Sequence, residues 1–374
     1  MDPHHMQTFF GYPSAKETTL DPNTQYPRFN TSNHSEDSWS SLLKEENLRK
    51  LQEQFLPQNY QKPPPKKITC ANDQYPALLK KRGCVLVPTI EKRRPANYET
   101  ITTALEATRE EQTPPQNYAM TWDLMANTNS KAGVTFVFMA KVLDYEILRQ
   151  TGRDVRSNLA DQWRNGYPLP SGGSTLQIAA PNPDMTIGYN RDEMTGCDEA
   201  IEYLGEYCTP IKGDGSLAFP VATVEIKHLT GDAYAERQNM HNAAIMLRNL
   251  RKLRQLAGMD EEELKTKFDG IAHVITVSFT QTTSAIYCCW SAVAEDGQLQ
   301  FFSKPIAFSW TNSGVEPFRS MIYRIRNAVD WVVEINKQWI LEDMAKLQRR
   351  LHTLDPLMPG LSASTASIGS EMTE

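Results

Sequence analysis

Two hydrophobic periods dominate residues 180–312, and together they predict a sheet assembled around one long helix. Residues 217–228, LAFPVATVEIKH, form a strand in which Thr223, Glu225 and Lys227 share one face and Ala222, Val224 and Ile226 share the other. Pro220 suits such a strand only near its start. A short strand at 186–189 follows Pro183-Asp184, and residues 232–257 predict a long helix with Asp232 as N-cap and Gly258 as its stop. Three β-type runs follow at 271–280, 284–293 and 299–310, the last two joined through Glu295-Asp296-Gly297. A final helix over 317–350 carries Met321, Ile325, Val329, Val332 and Ile340 on a broken apolar face.

The pattern upstream is less regular. Residues 121–165 read as a helical region, with Phe136, Met139, Leu143, Ile147 and Leu148 near helical spacing and an interruption at Gly152. Between 70 and 116 the pattern predicts a strand at 85–88 and a helix at 96–107. Residues 1–66 are rich in Asn, Ser, Thr, Gln, Tyr and Pro, too poor in apolar area to offset the entropy of ordering, and are predicted to be a disordered arm. One island within it, 35–55, has Leu42, Leu43, Leu48, Leu51 and Phe55 near helical spacing and is either a docking helix or a solvated one. The small, polar stretch 353–374 is predicted to be a disordered tail. The domain expected is therefore 67–352, with a core at 121–312 and a C-terminal helix at 317–350. The element order implies an α/β fold with a mixed central sheet flanked by helices.

Charge narrows the function classes. The 374 residues carry a formal net charge of −6, which argues against coating nucleic acid through bulk electrostatics. Any such contact must be local, and the candidate places are Lys80-Lys81-Arg82, Lys92-Arg93-Arg94 and the group Arg248, Arg251, Lys252, Arg254, each of which also reads as solvated surface. The six cysteines show neither CxxC pairs nor His partners at zinc spacing, so a disulfide framework and a structural zinc are not expected. A reducing compartment, cytoplasm or nucleus, fits. The N-terminus lacks the pattern of a signal peptide and the longest mostly apolar stretch, 134–143, is too short to span a bilayer, so neither secretion nor membrane insertion is expected.

The chemistry resides in Glu225 and Lys227. On its own, a Glu-x-Lys pair on a strand is usually a surface ion pair of little consequence. Here Asp184, some forty residues upstream, stands at a strand edge where its carboxylate can converge on the same cleft. Two convergent carboxylates with open positions suit Mg²⁺ or Mn²⁺, and a nearby ammonium can orient water or stabilise charge developing on phosphorus. On the long helix, Tyr234, Gln238, His241, Arg248 and Lys252 fall on one polar face, apart from Met240, Ala243, Leu247 and Leu250. His228 and Cys288-Cys289-Trp290 read as structural.

Pro183-Asp184, then Glu225-Ile226-Lys227, then a helix bearing Gln238-Asn239 resembles the motif set of the PD-(D/E)XK nuclease-like superfamily. The phrases PDMTIGYN, FPVATVEIKH and AERQNMHNAA are similar to an uncharacterised fungal branch of it, and the resemblance spans roughly 121–312. It implies a restriction-endonuclease-like core in which Asp184 and Glu225 ligate Mg²⁺ or Mn²⁺, the Ile226 carbonyl supplies a third ligand, Lys227 positions the attacking water and Gln238 approaches from the helix. It also implies an additional acid before the sheet, for which Glu146 competes with Asp144 and Asp161. The implied activity is a metal-dependent phosphodiesterase acting on nucleic acid. The alternative is a catalytically silent module of the same fold that acts by binding protein or nucleic acid.

Overall fold

The computed structural model describes residues 67–109, 115–143, 153–157, 163, 169, 176–212, 215–229 and 231–354. The predicted arm 1–66 with its helix at 35–55, residues 355–374 of the predicted tail, and Asp144, Glu146 and Asp161 lie outside them. In chain order the elements are α1 (Tyr75–Lys81), β1 (Cys84–Leu86), α2 (Tyr98–Leu105), α3 (Pro115–Asn127), α4 (Lys131–Val137), β2 (Arg153–Ser157), β3 (Met185–Asn190), α5 (Asp198–Leu204), β4 (Leu217–Ile226), α6 (Asp232–Leu256), α7 (Glu261–Lys267), β5 (Ala272–Phe279), β6 (Thr283–Val293), β7 (Leu299–Trp310) and α8 (Val315–Leu354). A π-helical turn, Phe138–Val142, continues α4.

The strands form one seven-stranded mixed sheet in the order β1-β7-β6-β5-β4-β3-β2. The β4–β5 and β1–β7 pairs are parallel and the rest antiparallel. Parallel pairing of neighbours in sequence requires a crossover, and α6 with α7 supplies it between β4 and β5. Every residue of β4, β5 and the first nine of β6 is buried, which is the signature of strands covered on both faces. The α6 helix covers the face bearing Thr223 and Glu225, since Asn242 reaches Glu225. The opposite face lies under α8, where Asn336 reaches His273.

Pro220 is accommodated by irregularity. The β3–β4 register shifts between Ile187 and Tyr189, and β4 begins pairing with β5 only at Ala222, so no ladder bond is asked of Pro220. Gly188 lies opposite this break, where a Cβ would fall 2.7 Å from the Ala218 carbonyl oxygen. Close passage of the two backbones needs glycine there.

Three expectations are corrected. Residues 121–165 are not one helical region: α3 ends at Asn127, and Arg153–Ser157 is an edge strand whose ladder bonds to β3 outweigh the helical spacing of the residues before it. The C-terminal helix is longer than predicted at both ends and includes residues 353 and 354 of the expected tail. Asp232 is not the N-cap of α6. That position is held by Gly231 at φ 129°, and Asp232 instead accepts a hydrogen bond from Thr283 Oγ1 at 3.0 Å.

Arg82, Arg251 and Arg254 of the expected basic clusters are spent inside the fold, whereas Lys80, Lys81 and the Lys92–Arg94 group stay at the surface. Arg82 is buried and donates to the carbonyls of Leu169 and Leu176 at 2.8 and 2.7 Å. Arg251 pairs with Glu261 and Asp269, and Arg254 lies 3.9 Å from the Trp339 ring centre with Asp343 beside it. Arg93 and Arg94 pair with Glu91 and Glu99.

Asn336 ties α8 to the sheet. Its Nδ2 donates to the carbonyls of His273 and Val332 at 2.8 and 2.7 Å, while its Oδ1 accepts from Trp339 Nε1 at 3.0 Å and lies 3.1 Å from His273 Nδ1. Replacing it by alanine orphans buried polar groups on His273 and Trp339. Asn336→Ala should cost roughly 2–4 kcal/mol in a denaturant titration, and a loss below about 0.5 kcal/mol would show that the network does not hold the helix to the sheet.

Candidate functional site

β4 delivers Glu225 and then Lys227 to the end of the sheet where two parallel strands finish side by side, and β3, running the other way, starts there directly after Asp184. Cleft-forming positions of α/β sheets lie at this carboxyl end, because the chain must leave the sheet and the flanking helices diverge. The pleat does the rest. Glu225 points to the α6 side with Thr223, and Val224 and Ile226 fill the core on the other.

The three residues converge. Lys227 Nζ lies 3.1 Å from Glu225 Oε2 and 3.5 Å from Asp184 Oδ2. The Ile226 backbone N–H donates to Asp184 Oδ2 at 2.7 Å, fixing that carboxylate against β4. Glu225 is fully buried, while the Asp184 and Lys227 side chains are 15% and 17% exposed, so the cleft opens on their side. Gly231 makes room for the lysine: its Cβ, were there one, would stand 3.1 Å from Lys227 Cγ, and its φ of 129° is one that other residues rarely adopt.

Two contacts come from residues the sequence reading did not single out. Asn242 Nδ2 donates to Glu225 Oε1 at 2.9 Å, and Lys131 Nζ lies 2.5 Å from Asp184 Oδ1. Gln238 is one turn before Asn242 on the same helix, half-buried, and it is Asn242 that reaches the carboxylate. A signal for Asn242 was present: Ala235, Asn239, Asn242, Met246, Leu250 and Leu253 recur at three or four, so both asparagines interrupt an apolar stripe that must face the sheet. Nothing local marks Lys131, which is 53 residues from Asp184 in sequence. Its placement depends on Gln281, whose Nε2 donates to the carbonyls of Met125, Ala126 and Thr128 at 2.9 Å each, and on the N-cap Ser130, whose Oγ accepts from the Gly133 N–H at 3.1 Å. Together they hold the α3–α4 turn over the cleft.

The expected polar face of α6 is corrected at His241. It is buried, its Nδ1 is 2.8 Å from the Tyr75 hydroxyl, and burial reinforced by the Arg82 charge lowers its pKa to about 4, so it is a neutral core residue. His228 Nε2 lies 3.3 Å from the Thr128 carbonyl and joins Gln281 at the end of α3. Among the described residues no cluster of three or more His, Cys, Asp or Glu is placed to hold a metal, so any ion here must take its remaining ligands from backbone, water or substrate.

Electrostatics divides the roles. Burial pushes the Glu225 carboxyl up to about 7, with Asp184 adding to the rise and Lys227 and Asn242 opposing it. For Lys227 burial works downwards, but Glu225 and Asp184 outweigh it and the ammonium is held more firmly than usual. The two shifts are compatible because Glu225 has lost all its water whereas the lysine sits at the wetter rim.

A sequence-family model described as a domain of unknown function, DUF7924, matches residues 139–343, more than half of the chain, and the chain belongs to that family. No curated protein matches it. Among the described residues, no helix is long and apolar enough to cross a membrane.

The raised Glu225 pKa has a sign that can be checked. A group that binds its proton more tightly when folded stabilises below its unfolded pKa and loses that contribution as pH rises through its folded value, here between about 4.5 and 7. Glu225→Gln, which cannot ionise, should therefore be more stable than the natural protein at pH 8, by on the order of 2 kcal/mol, and no more stable at pH 4.5. Equal stabilities at pH 8 would mean that Lys227 and Asn242 fully offset the buried charge.

Proposed function

We propose that this member of the DUF7924 family is a Mg²⁺- or Mn²⁺-dependent phosphodiesterase of PD-(D/E)XK type acting on nucleic acid. The observation that carries the reading is the convergence of Asp184, Glu225 and Lys227 at the carboxyl end of β4, with Glu225 buried despite its charge. A carboxylate kept dry at a cost is an arrangement expected of function. The donor set fits a hard divalent ion: the two carboxylates already share one cation, the Lys227 ammonium, and Mg²⁺ commonly takes one or two protein carboxylates and keeps several waters.

Asp184 and Glu225 would hold the ion, with the Ile226 carbonyl as the third ligand that the resemblance implies. A bound ion supplies Lewis acidity and a water of lowered pKa. Asn242 engages Glu225 Oε1 and thereby leaves Oε2 toward the cleft. Lys227, firmly protonated, acts as a donor that orients the attacking water and stabilises negative charge on the phosphoryl oxygens, and it does not serve as a base. Gln238 stands one turn nearer the helix start and is assigned to the water or the substrate. Hydrolysis adds one water across a P–O ester bond and leaves a phosphate monoester and a free hydroxyl.

Lys131 has a separate part. It competes with any ion for Asp184 Oδ1, but its side chain is 49% exposed and free to turn from the carboxylate to a substrate phosphate. A silent binding module of the same fold is the second reading, supported by those same lysines, which neutralise both carboxylates in pairs, and by the net charge of −6.

The purified protein with Mn²⁺ should cut a generic single- or double-stranded substrate and lose this activity in EDTA. Glu225→Ala should lose ion binding and turnover together, and Lys227→Ala should bind the ion yet fall in rate by about a hundredfold or more. No cleavage of any DNA or RNA, with no measurable ion binding, would leave the silent module as the better account. Because Glu225 must shed its proton to ligate, Mn²⁺ affinity should fall about tenfold per pH unit below 7. Lys131→Ala should tighten Mn²⁺ binding by a few-fold while weakening substrate, and unchanged affinity would show that Lys131 does not compete for Asp184.

A further inference from the structure

The sheet carries a second feature on the cleft side. The strands β4, β5 and β7 run in one direction, so their carboxyl ends lie together, and the register across the sheet runs from Glu225 to Ser278, Ala285 and Phe308. Residues in register project to the same face, which places Phe308 on the face of Glu225, three strands or roughly 14 Å away. Trp310, two residues on, corresponds to Lys227 two residues beyond Glu225. Phe308 and Trp310 are 53% and 58% exposed, although large aromatic side chains on a covered sheet are normally buried. Their rings are edge to face with centres 5.5 Å apart, so ring surface stays open to solvent.

The ground between this pair and Lys227 is furnished as well. The first turn of α6 comes down on β6 through the Asp232–Thr283 hydrogen bond, and Thr283 is the register partner of Trp310. From that turn Tyr234 is exposed, with the Arg237 guanidinium 5.6 Å over its ring. Exposed rings alternating with cations, leading to a site with two ammonium groups, complement a chain of stacked bases and phosphates. A helix of a protein partner would need a contiguous apolar surface, and Arg237 over the Tyr234 ring interrupts this one.

We infer that Phe308 and Trp310, continued by Tyr234 and Arg237, form a base-stacking platform, and that the substrate is single-stranded nucleic acid whose unpaired bases stack there while its backbone crosses the Asp184–Glu225–Lys227 site. A paired duplex keeps its base faces covered and has nothing to offer these rings. The inference rests on the phosphodiesterase reading for the direction of the strand, and the platform itself binds without chemistry.

The test is fluorescence anisotropy with the full chain in EDTA, using labelled oligothymidylate of about twelve nucleotides and a duplex of equal length. The single strand should bind at least about tenfold more tightly than the duplex. Phe308→Ala/Trp310→Ala should erase most of that preference, weakening the single strand about tenfold or more at an unchanged melting temperature, whereas Phe308→Tyr/Trp310→Phe should retain it. Equal affinity for duplex, no binding, an unchanged double-alanine variant, or a double-alanine variant that alters only oligomeric state would each overturn the platform. Cleavage assayed separately distinguishes the two claims: binding intact with no Mn²⁺-dependent cleavage removes the phosphodiesterase and keeps the platform, and cleavage indifferent to the aromatic substitutions does the reverse.

Discussion

A carboxylate with no access to water, at the end of a buried strand, is the constraint around which the cleft is arranged. Glu225 is fully buried, and an ion in that position must be compensated or it destabilises the chain by several kcal/mol. The compensation comes from two directions, Asn242 from α6 and Lys227 from its own strand, while Asp184 on the far side of the lysine adds a second negative charge that works against it. Each of these three groups is itself positioned by something else. The Ile226 N–H holds Asp184, Gly231 clears space for Lys227, and burial of α6 against the sheet brings Asn242 down onto Glu225.

Mixed strand direction makes this possible. Because β4 and β5 are parallel, the chain leaves β4 at the cleft and returns through α6, whose own start lies over the same end of the sheet. Because β3 is antiparallel to β4, its first residues meet the last residues of β4, so that Asp184 and Glu225, forty-one positions apart, become neighbours. The irregular pairing near Pro220 and Gly188 lies at the opposite end of the β3–β4 pair, where it disturbs nothing in the site.

The face beneath α6 is unusually polar for a covered sheet. Thr186 and Thr223 lie in register and, like Asn239, are buried with side-chain atoms that find no protein hydrogen-bond partner. Such groups lower stability relative to an apolar layer of the same shape. Apolar residues would pack there at no electrostatic cost, so the polar stripe leading to Glu225 reflects a requirement other than stability. That stripe and the exposed aromatic pair on β7 belong to the same face.

The sequence alone determined the elements that carry their period locally. The strands at 217–228, 271–280, 284–293 and 299–310, the helix at 232–257 and the pairing of Glu225 with Lys227 on one face follow from spacings of two and of three to four, and each is present with bounds within a few residues. The edge strand Arg153–Ser157 was hidden because its hydrogen bonds go to β3 and leave no local mark. The site divides in the same way. Asp184, Glu225 and Lys227 were identifiable as residue types at suggestive positions, but their convergence depends on strand order and direction, which no local pattern contains. Lys131 and the burial of His241 were decided by tertiary packing alone, and Asn242, whose break in the apolar stripe is legible in the sequence, still owes its contact to packing, since it is the docking of α3, α4 and α6 on the sheet that selects which of many similar side chains meets the carboxylates.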